Sequence, residues 1–489
     1  DRVDLDTIVR ITNPTSTATA GTDVVIRNVS VTGGVFGDAS ESGEDTTPLF
    51  DPTNTDNLQD SSGTESHKVY AAELVTLANG DLVMISSERG TSNGDGISSY
   101  KIDNDPTSAT YGRIVGTNQA GNGTTDLGAK IDSAGFQSPD GRIDAGYNET
   151  ADLAAVTLGN GSTFVYSADF NRDAIGITRI EADGSLTETS VLQNGSELDR
   201  IKELSIVEVG GQSYLLALST GGSDRLISYA INDDGSLTQT DIERDGSGAD
   251  ENFLNGGNGL GNASVLESFT NSAGETFVVA GGDDDGISLW TLDETGQVVF
   301  QNARADNRAG TGEFDPQGNE LSRDVIQPEN TGLENPDAAA FGEIGGQTYL
   351  FVGGSPDNVE IFRVGADLSG DGTFDLTLVG QTPDIVHDIS SMAFLVDGDG
   401  GKLVVGGEQN RLEFFDVVID AAGVVTLDPV LELRDGGDPG AELADSEDID
   451  IVEAILDGRQ PAAMTVSSLL RLDALPADWD AQRRMLGIA

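Results

Sequence analysis

A unit of four short alternating apolar runs, separated by Gly, Asp and Asn turns, recurs about seven times along this 489-residue chain and limits the folds open to it. The third copy is the cleanest: ELSIVEV (203–209), a GGQ turn, SYLLALS (213–219), the loop TGGSD, RLISYAI (225–231), the turn NDDGS and LTQTDIE (237–243). The fifth repeats the plan with AAAFGEI (338–344), GGQ, TYLFVGG (348–354), NVEIFRV (358–364) and FDLTLVG (374–380). Acids near the start of the first run keep the period: Asp152 and Glu203 stand 51 residues apart, Asp337 and Asp388 again 51, and Asp388 and Asp448 60. Helical periodicity is nearly absent, and such periods suit four-stranded blades arranged radially, which leave only short outer edges unpaired.

The expected fold is therefore all-β, a seven-bladed β-propeller of four-stranded blades over 67–476. The seventh copy shows only three convincing strands. Residues 1–34 contain two further runs, DTIVRIT (6–12) and DVVIRNVSV (23–31), and one of them is expected to close the last blade as its outer strand. Segments 35–66, about 113–148 and about 304–335 read as long polar loop inserts, and 477–489 as a short helix or tail. The chain opens at Asp1 without Met, which reads as a processed chain or part of a longer one.

Composition narrows the partners. With 26 Lys plus Arg against 84 Asp plus Glu, the net charge is −58, and such a surface repels nucleic acid and anionic membranes. No apolar run approaches the roughly 18 residues of a spanning helix, so membrane insertion is not expected. Zero cysteines exclude disulfides, thiol nucleophiles and Cys-bound metal, and two histidines are too few for a three-His centre. Charge of this density is tolerated where salt or divalent cations screen it, which points to a secreted, extracellular or cell-surface, bacterial-type setting.

In the second and third copies the outer hairpins read ITRIEADGSLTETSV (177–191) and ISYAINDDGSLTQTD (227–241). They resemble the blade signature of the lactonase-type, phosphogluconolactonase-like seven-bladed propellers, which implies the propeller fold and, more distantly, lactone hydrolysis. Asp-Gly is expected to supply the positive-φ residues of these turns. The acidic, Gly-rich, Cys-free composition is also similar to that of type I secreted, calcium-dependent RTX-like proteins; GGNGLGNAS (256–264) approaches their repeat, with Gly261 where an Asp belongs.

Two constellations are candidates for chemistry. In DLSGDGTFD (367–375) the donors Asp367, Ser369, Asp371, Thr373 and Asp375 alternate around Gly372 as a calcium loop requires, although the twelfth position is Leu378; a solvated hairpin turn is the alternative. At the start of the innermost strands Asp152, Glu203, Asn262, Asp337, Asp388 and Asp448, with His387, form a candidate ring at one channel mouth. The competing reading is that these side chains satisfy loop N–H groups. A second periodic acid, including Asp173, Asp224 and Asp285, precedes the third strand and reads as a turn cap. No GxSxG, Walker, HExxH or dinucleotide motif occurs. The sequence thus points to a calcium-stabilised acidic binding or scaffold module for a protein or carbohydrate ligand. The alternative is a lactonase-like or other hydrolase using carboxylates at the channel mouth.

Overall fold

The computed structural model describes residues 5–6, 8–12, 28–32, 68–89, 96–102, 104, 129–132, 150–170, 173–194, 197–221, 224–244, 260–261, 263–282, 286–305, 312–314, 320–323, 333, 335–354, 358–366, 373–382, 389–397, 400–407, 411–434 and 446–448. All regular structure among them is strand. Near the N-terminus lie β1 (Leu5–Asp6), β2 (Ile8–Thr12) and β3 (Asn28–Thr32). The first sheet contains β4 (Lys68–Thr76), β5 (Leu82–Arg89), β6 (Gly96–Ile102) and β7 (Ala129–Asp132). The second contains β8 (Thr150–Thr157), β9 (Thr163–Asp169), β10 (Ala174–Ile180) and β11 (Leu186–Gln193). The third contains β12 (Ile201–Val209), β13 (Gln212–Ser219), β14 (Arg225–Ile231) and β15 (Leu237–Arg244). The fourth contains β16 (Ala263–Thr270), β17 (Thr276–Gly282), β18 (Gly286–Leu292), β19 (Val298–Ala305), β20 (Gly312–Phe314) and β21 (Glu320–Arg323). The fifth contains β22 (Pro336–Ile344), β23 (Gln347–Gly354), β24 (Asn358–Ala366) and β25 (Phe374–Thr382), and the sixth β26 (Ile389–Asp397), β27 (Gly400–Gly407), β28 (Arg411–Ile419) and β29 (Val425–Arg434). Finally β30 (Ser446–Asp448) pairs in parallel with β1.

Every one of these six sheets is an antiparallel meander in chain order, and the first strands of consecutive sheets are neighbours, from β4 through β8, β12, β16 and β22 to β26. This is a propeller-like arrangement. Its core is a series of apolar layers between sheets rather than one central cluster: Phe164, Tyr166, Ile175 and Ile177 of the second sheet meet Leu204, Leu215, Ala217 and Ile227 of the third. The pattern recurs in each of the following seams, with Trp290 and Phe351 among the largest buried side chains. Strands buried on both faces explain the continuous apolar runs TFVYSAD and TFVVAGG.

The polar turns are built to a repeated plan. In the GGQ turns Gly210 and Gly211, and again Gly345 and Gly346, take positive φ at both central positions of a two-residue hairpin. Gln212 Nε2 then donates to the Ile231 carbonyl at 2.7 Å, and Gln347 Nε2 to the Val364 carbonyl at 2.5 Å, so each Gln fastens the turn to the third strand. The Asp-Gly-Ser turns differ from expectation: Gly184 (φ 85°) and Gly235 (φ 81°) are left-handed, whereas Asp183 and Asp234 are not. Each is a three-residue loop in which Glu181 or Asn232 bonds the Ser185 or Ser236 carbonyl.

Three expectations are revised by the pairing. Among the described residues the N-terminal runs pair with each other as the β2–β3 hairpin, and it is the two-residue strand Leu5–Asp6 that pairs with the C-terminal region, in parallel with β30. The segment 113–148 contains β7, the fourth strand of the first sheet, and 304–335 contains β20 and β21, which extend the fourth sheet to six strands. Segments 35–66 and 477–489 lie outside the described residues.

Candidate functional site

Among the described residues the first strand of each of the six sheets is β-paired on one side, so its other edge carries backbone groups in need of partners. Near the start of each first strand the pairing slips by one residue, between Val69 and Ala72, Thr150 and Asp152, Ile201 and Glu203, Ala263 and Val265, Pro336 and Ala338, and Ile389 and Ser391. These β-bulges re-aim the side chains around them. They also give the sheets a common frame. Asp152 and Glu203 both occupy the first paired position after the bulge, where the later sheets have Val265, Ala338 and Ser391. Asp337 is itself the bulged residue, equivalent to Ala151, Lys202, Ser264 and Ser390. The proposed ring of acids is thus divided among register positions. Asn262, His387 and Asp388 lie outside the described residues, as does the side chain of Asp448, the last residue of β30.

Two of the described acids, Asp152 and Asp337, tie neighbouring sheets together. Half-buried Asp152 accepts the N–H of Leu153 at 2.7 Å and, across the gap to the third sheet, the N–H of Leu204 at 2.6 Å. Exposed Asp337 accepts from Ser264 Oγ at 3.2 Å, joining the fourth and fifth sheets. Glu203 is half-buried. Further cross-links that the sequence did not single out are Glu73 with the Ala155 N–H at 3.4 Å and Ser205 Oγ with Ser268 Oγ at 2.6 Å. Their common signal is a polar residue inside an otherwise apolar first run, as in VYAAELVTL and ASVLESF.

The candidate donors of the 367–375 loop are likewise divided. Asp367, Ser369 and Asp371 lie outside the described residues, while Thr373 precedes β25. Asp375 is buried in the seam with the fourth sheet, where Asn302 Nδ2 lies 3.4 Å from Oδ1. Among the described residues no group of three or more His, Asp or Glu side chains is placed to hold a metal ion. Of the acids before the third strands, Asp173 adopts φ 55° and its carboxylate accepts the N–H of Arg200 at 3.1 Å, which ties this turn to the linker entering the third sheet. Asp285 lies outside the described residues.

The turn acids are held as anions. Asp183 and Asp234 lie below the usual carboxylate range, first because the hydroxyls of Ser185 and Ser236 donate to them and then through the N–H of the same residues. Burial pushes Asp293 upward, but donors from Thr295, Gln297 and Gly296 outweigh it and leave this carboxyl lowered too. A depressed pKa in the folded state gives stability that is present above the unfolded-state value and lost as the pH falls. The stability gap between wild type and Asp234→Ala, measured by thermal melting, should therefore be open at pH 7 and close below about pH 4. A gap independent of pH would show that the carboxylate form is not what the turn uses.

Neither a protein-family model nor a curated protein matches the sequence. Solved structures similar to this chain include the periplasmic gluconolactonase PpgL of Pseudomonas aeruginosa, at 14% identity and TM-score 0.48 over 88% of this chain and 96% of that one. Others are a Lactobacillus plantarum protein, at 16% identity and TM-score 0.44 over 75% and 85%, and a Bacteroides uniformis protein provisionally named a 6-phosphogluconolactonase, at 15% identity and TM-score 0.42 over 74% and 87%. These are likenesses of architecture, and no residue role is carried over from them.

Proposed function

We propose that the chain forms a closed seven-bladed ring and acts as an acidic recognition scaffold for a protein or carbohydrate ligand, in a secreted or surface-displayed setting. Support for the ring comes from neighbours at its two ends. β30 lies beside β26, β1 lies beside β4, and β1 pairs with β30, so this short pair spans the interval between the sixth and first sheets. In this arrangement the N-terminus joins the innermost strand of the seventh blade. The observation that carries the scaffold reading is the use of Asp152: both carboxylate oxygens accept backbone N–H groups, one from each of two sheets, as a structural tie requires.

Lactone hydrolysis is the second reading. It is favoured by the two Asp-Gly-Ser-Leu hairpins and by the common register of Asp152 and Glu203, which places two carboxyl-bearing residues at equivalent points of adjacent first strands. A general acid–base role for Glu203 would contribute roughly 100-fold or more to the rate. Glucono-δ-lactone is an uncharged probe suited to so acidic a protein, and acid release in a pH-stat separates the readings. The scaffold predicts a rate equal to spontaneous hydrolysis. Saturable turnover that falls at least tenfold in Glu203→Gln would establish the hydrolase instead.

A further inference from the structure

Lys and Arg number only 26 in the whole chain, yet Arg200, Arg225 and Arg244 are gathered near one end of the seam between the second and third sheets. Arg225 opens β14 and is 8% exposed. Its Nη1 reaches the Glu197 carbonyl at 3.5 Å, a long contact, and its buried Nε has no hydrogen-bond partner among the described residues. Arg244 is its register partner across the β14–β15 pair, so two like charges stand directly opposite each other at a strand end. Arg244 is half exposed and lies 3.7 Å from the Glu197 carboxylate, whose other oxygen accepts from Asn194 Nδ2 at 2.8 Å. Arg200 stands at the rim on a left-handed residue, with its guanidinium over the Phe170 ring.

Glu197 is therefore engaged by Arg244 and Asn194 and meets Arg225 only through its backbone carbonyl. Among the described residues this buried guanidinium has no carboxylate partner, an unfavourable placement for a charge, and its Nε–H leaves a directed donor unused. Asp199, the other acid on this linker, packs its carboxyl against Gly221, whose position admits no Cβ. We propose that Arg225 and Arg244 together hold a small oxyanion, a carboxylate or a phosphate group, at this seam. Such a group matches the planar fork of arginine, which presents two parallel donors, and it relieves the repulsion across the strand pair. Net charge works against nonspecific anion uptake here, because a surface at −58 repels free anions unless a local site overcomes that field. This inference is independent of ring closure and of either functional reading.

The test is calorimetric titration of the full chain with sodium acetate and, separately, sodium phosphate, against a sodium chloride background of matched ionic strength. One saturable site is expected for at least one of the two anions, and the better of them identifies the preferred group. Affinity should fall at least tenfold in Arg244→Gln, an exposed change that leaves the seam intact, and binding should be lost in Arg225→Met. The absence of saturable heat with either anion would overturn the proposal, as would equal affinity in wild type and Arg244→Gln.

Discussion

Gly235→Ala is expected to destabilise the protein by roughly 3 kcal/mol, far more than the same change at Gly274. Both glycines sit at the left-handed position of a three-residue hairpin loop, at φ 81° and 80°, so each substitution carries the conformational cost of about 1–2 kcal/mol. They differ in what a Cβ would meet. At Gly274 there is open space, whereas at Gly235 the new atom would stand 2.4 Å from the Phe164 ring of the neighbouring sheet. The same turn receives the Tyr166 hydroxyl at the Gly235 carbonyl, 3.0 Å away, and the Asn160 side chain at the Asp233 carbonyl, 2.8 Å away. Burial, followed by the Asp234 charge, pushes the Tyr166 hydroxyl far upward, so it remains a neutral donor. Denaturant melts of the two variants should separate by about 1–3 kcal/mol, the cost of overpacking. Equal losses at both positions would mean that the turn does not rest on the second sheet.

That turn-on-sheet contact is a repeated device. Tyr214 donates to the Glu294 carbonyl at 2.8 Å beneath Gly296, where a Cβ would meet the same ring at 2.5 Å. Ser99 donates to the Gly184 carbonyl at 2.6 Å in the preceding seam. In each case the turn between third and fourth strands lies on the sheet before it. The Asp-Gly-Ser sequence thus contributes to sheet packing as well as to the hairpin.

What the sequence revealed follows from how local each determinant is. Apolar alternation, the GGQ turns and the Asp-Gly-Ser hairpins are set by residues within a few positions of one another, and they located most strands of the second to sixth sheets. The strand Ala129–Asp132 has no such local signature; its pairing with Ser99 and Ser98 is imposed by the sheet it joins. Apparent strand starts put the candidate acids in one row, whereas one bulged residue separates Asp337 from the position shared by Asp152 and Glu203. Register is a property of pairing, and a one-residue shift changes the direction of every side chain beyond it. Asp375 read as a loop donor because its spacing fits calcium, yet it belongs to a strand and lies in a buried seam. Arg225 and Arg244 are 19 residues apart in the chain and become neighbours only through the β14–β15 register.

The proposed ring closure is open to one direct measurement. Asp6 and Asp448 are backbone partners in the parallel β1–β30 pair, and the natural chain has no cysteine to compete. In Asp6→Cys/Asp448→Cys, mild oxidation should yield one intramolecular disulfide, seen as loss of both free thiols in a monomer and faster migration without reductant. Closing so long a loop constrains the unfolded chain, with a stabilisation of up to about 5 kcal/mol that reductant should reverse. The account predicts this closed monomer under native conditions and its disappearance when oxidation is carried out in denaturant. Free thiols that persist in the folded monomer, or disulfides formed only between molecules, would contradict a ring closed through β1 and β30.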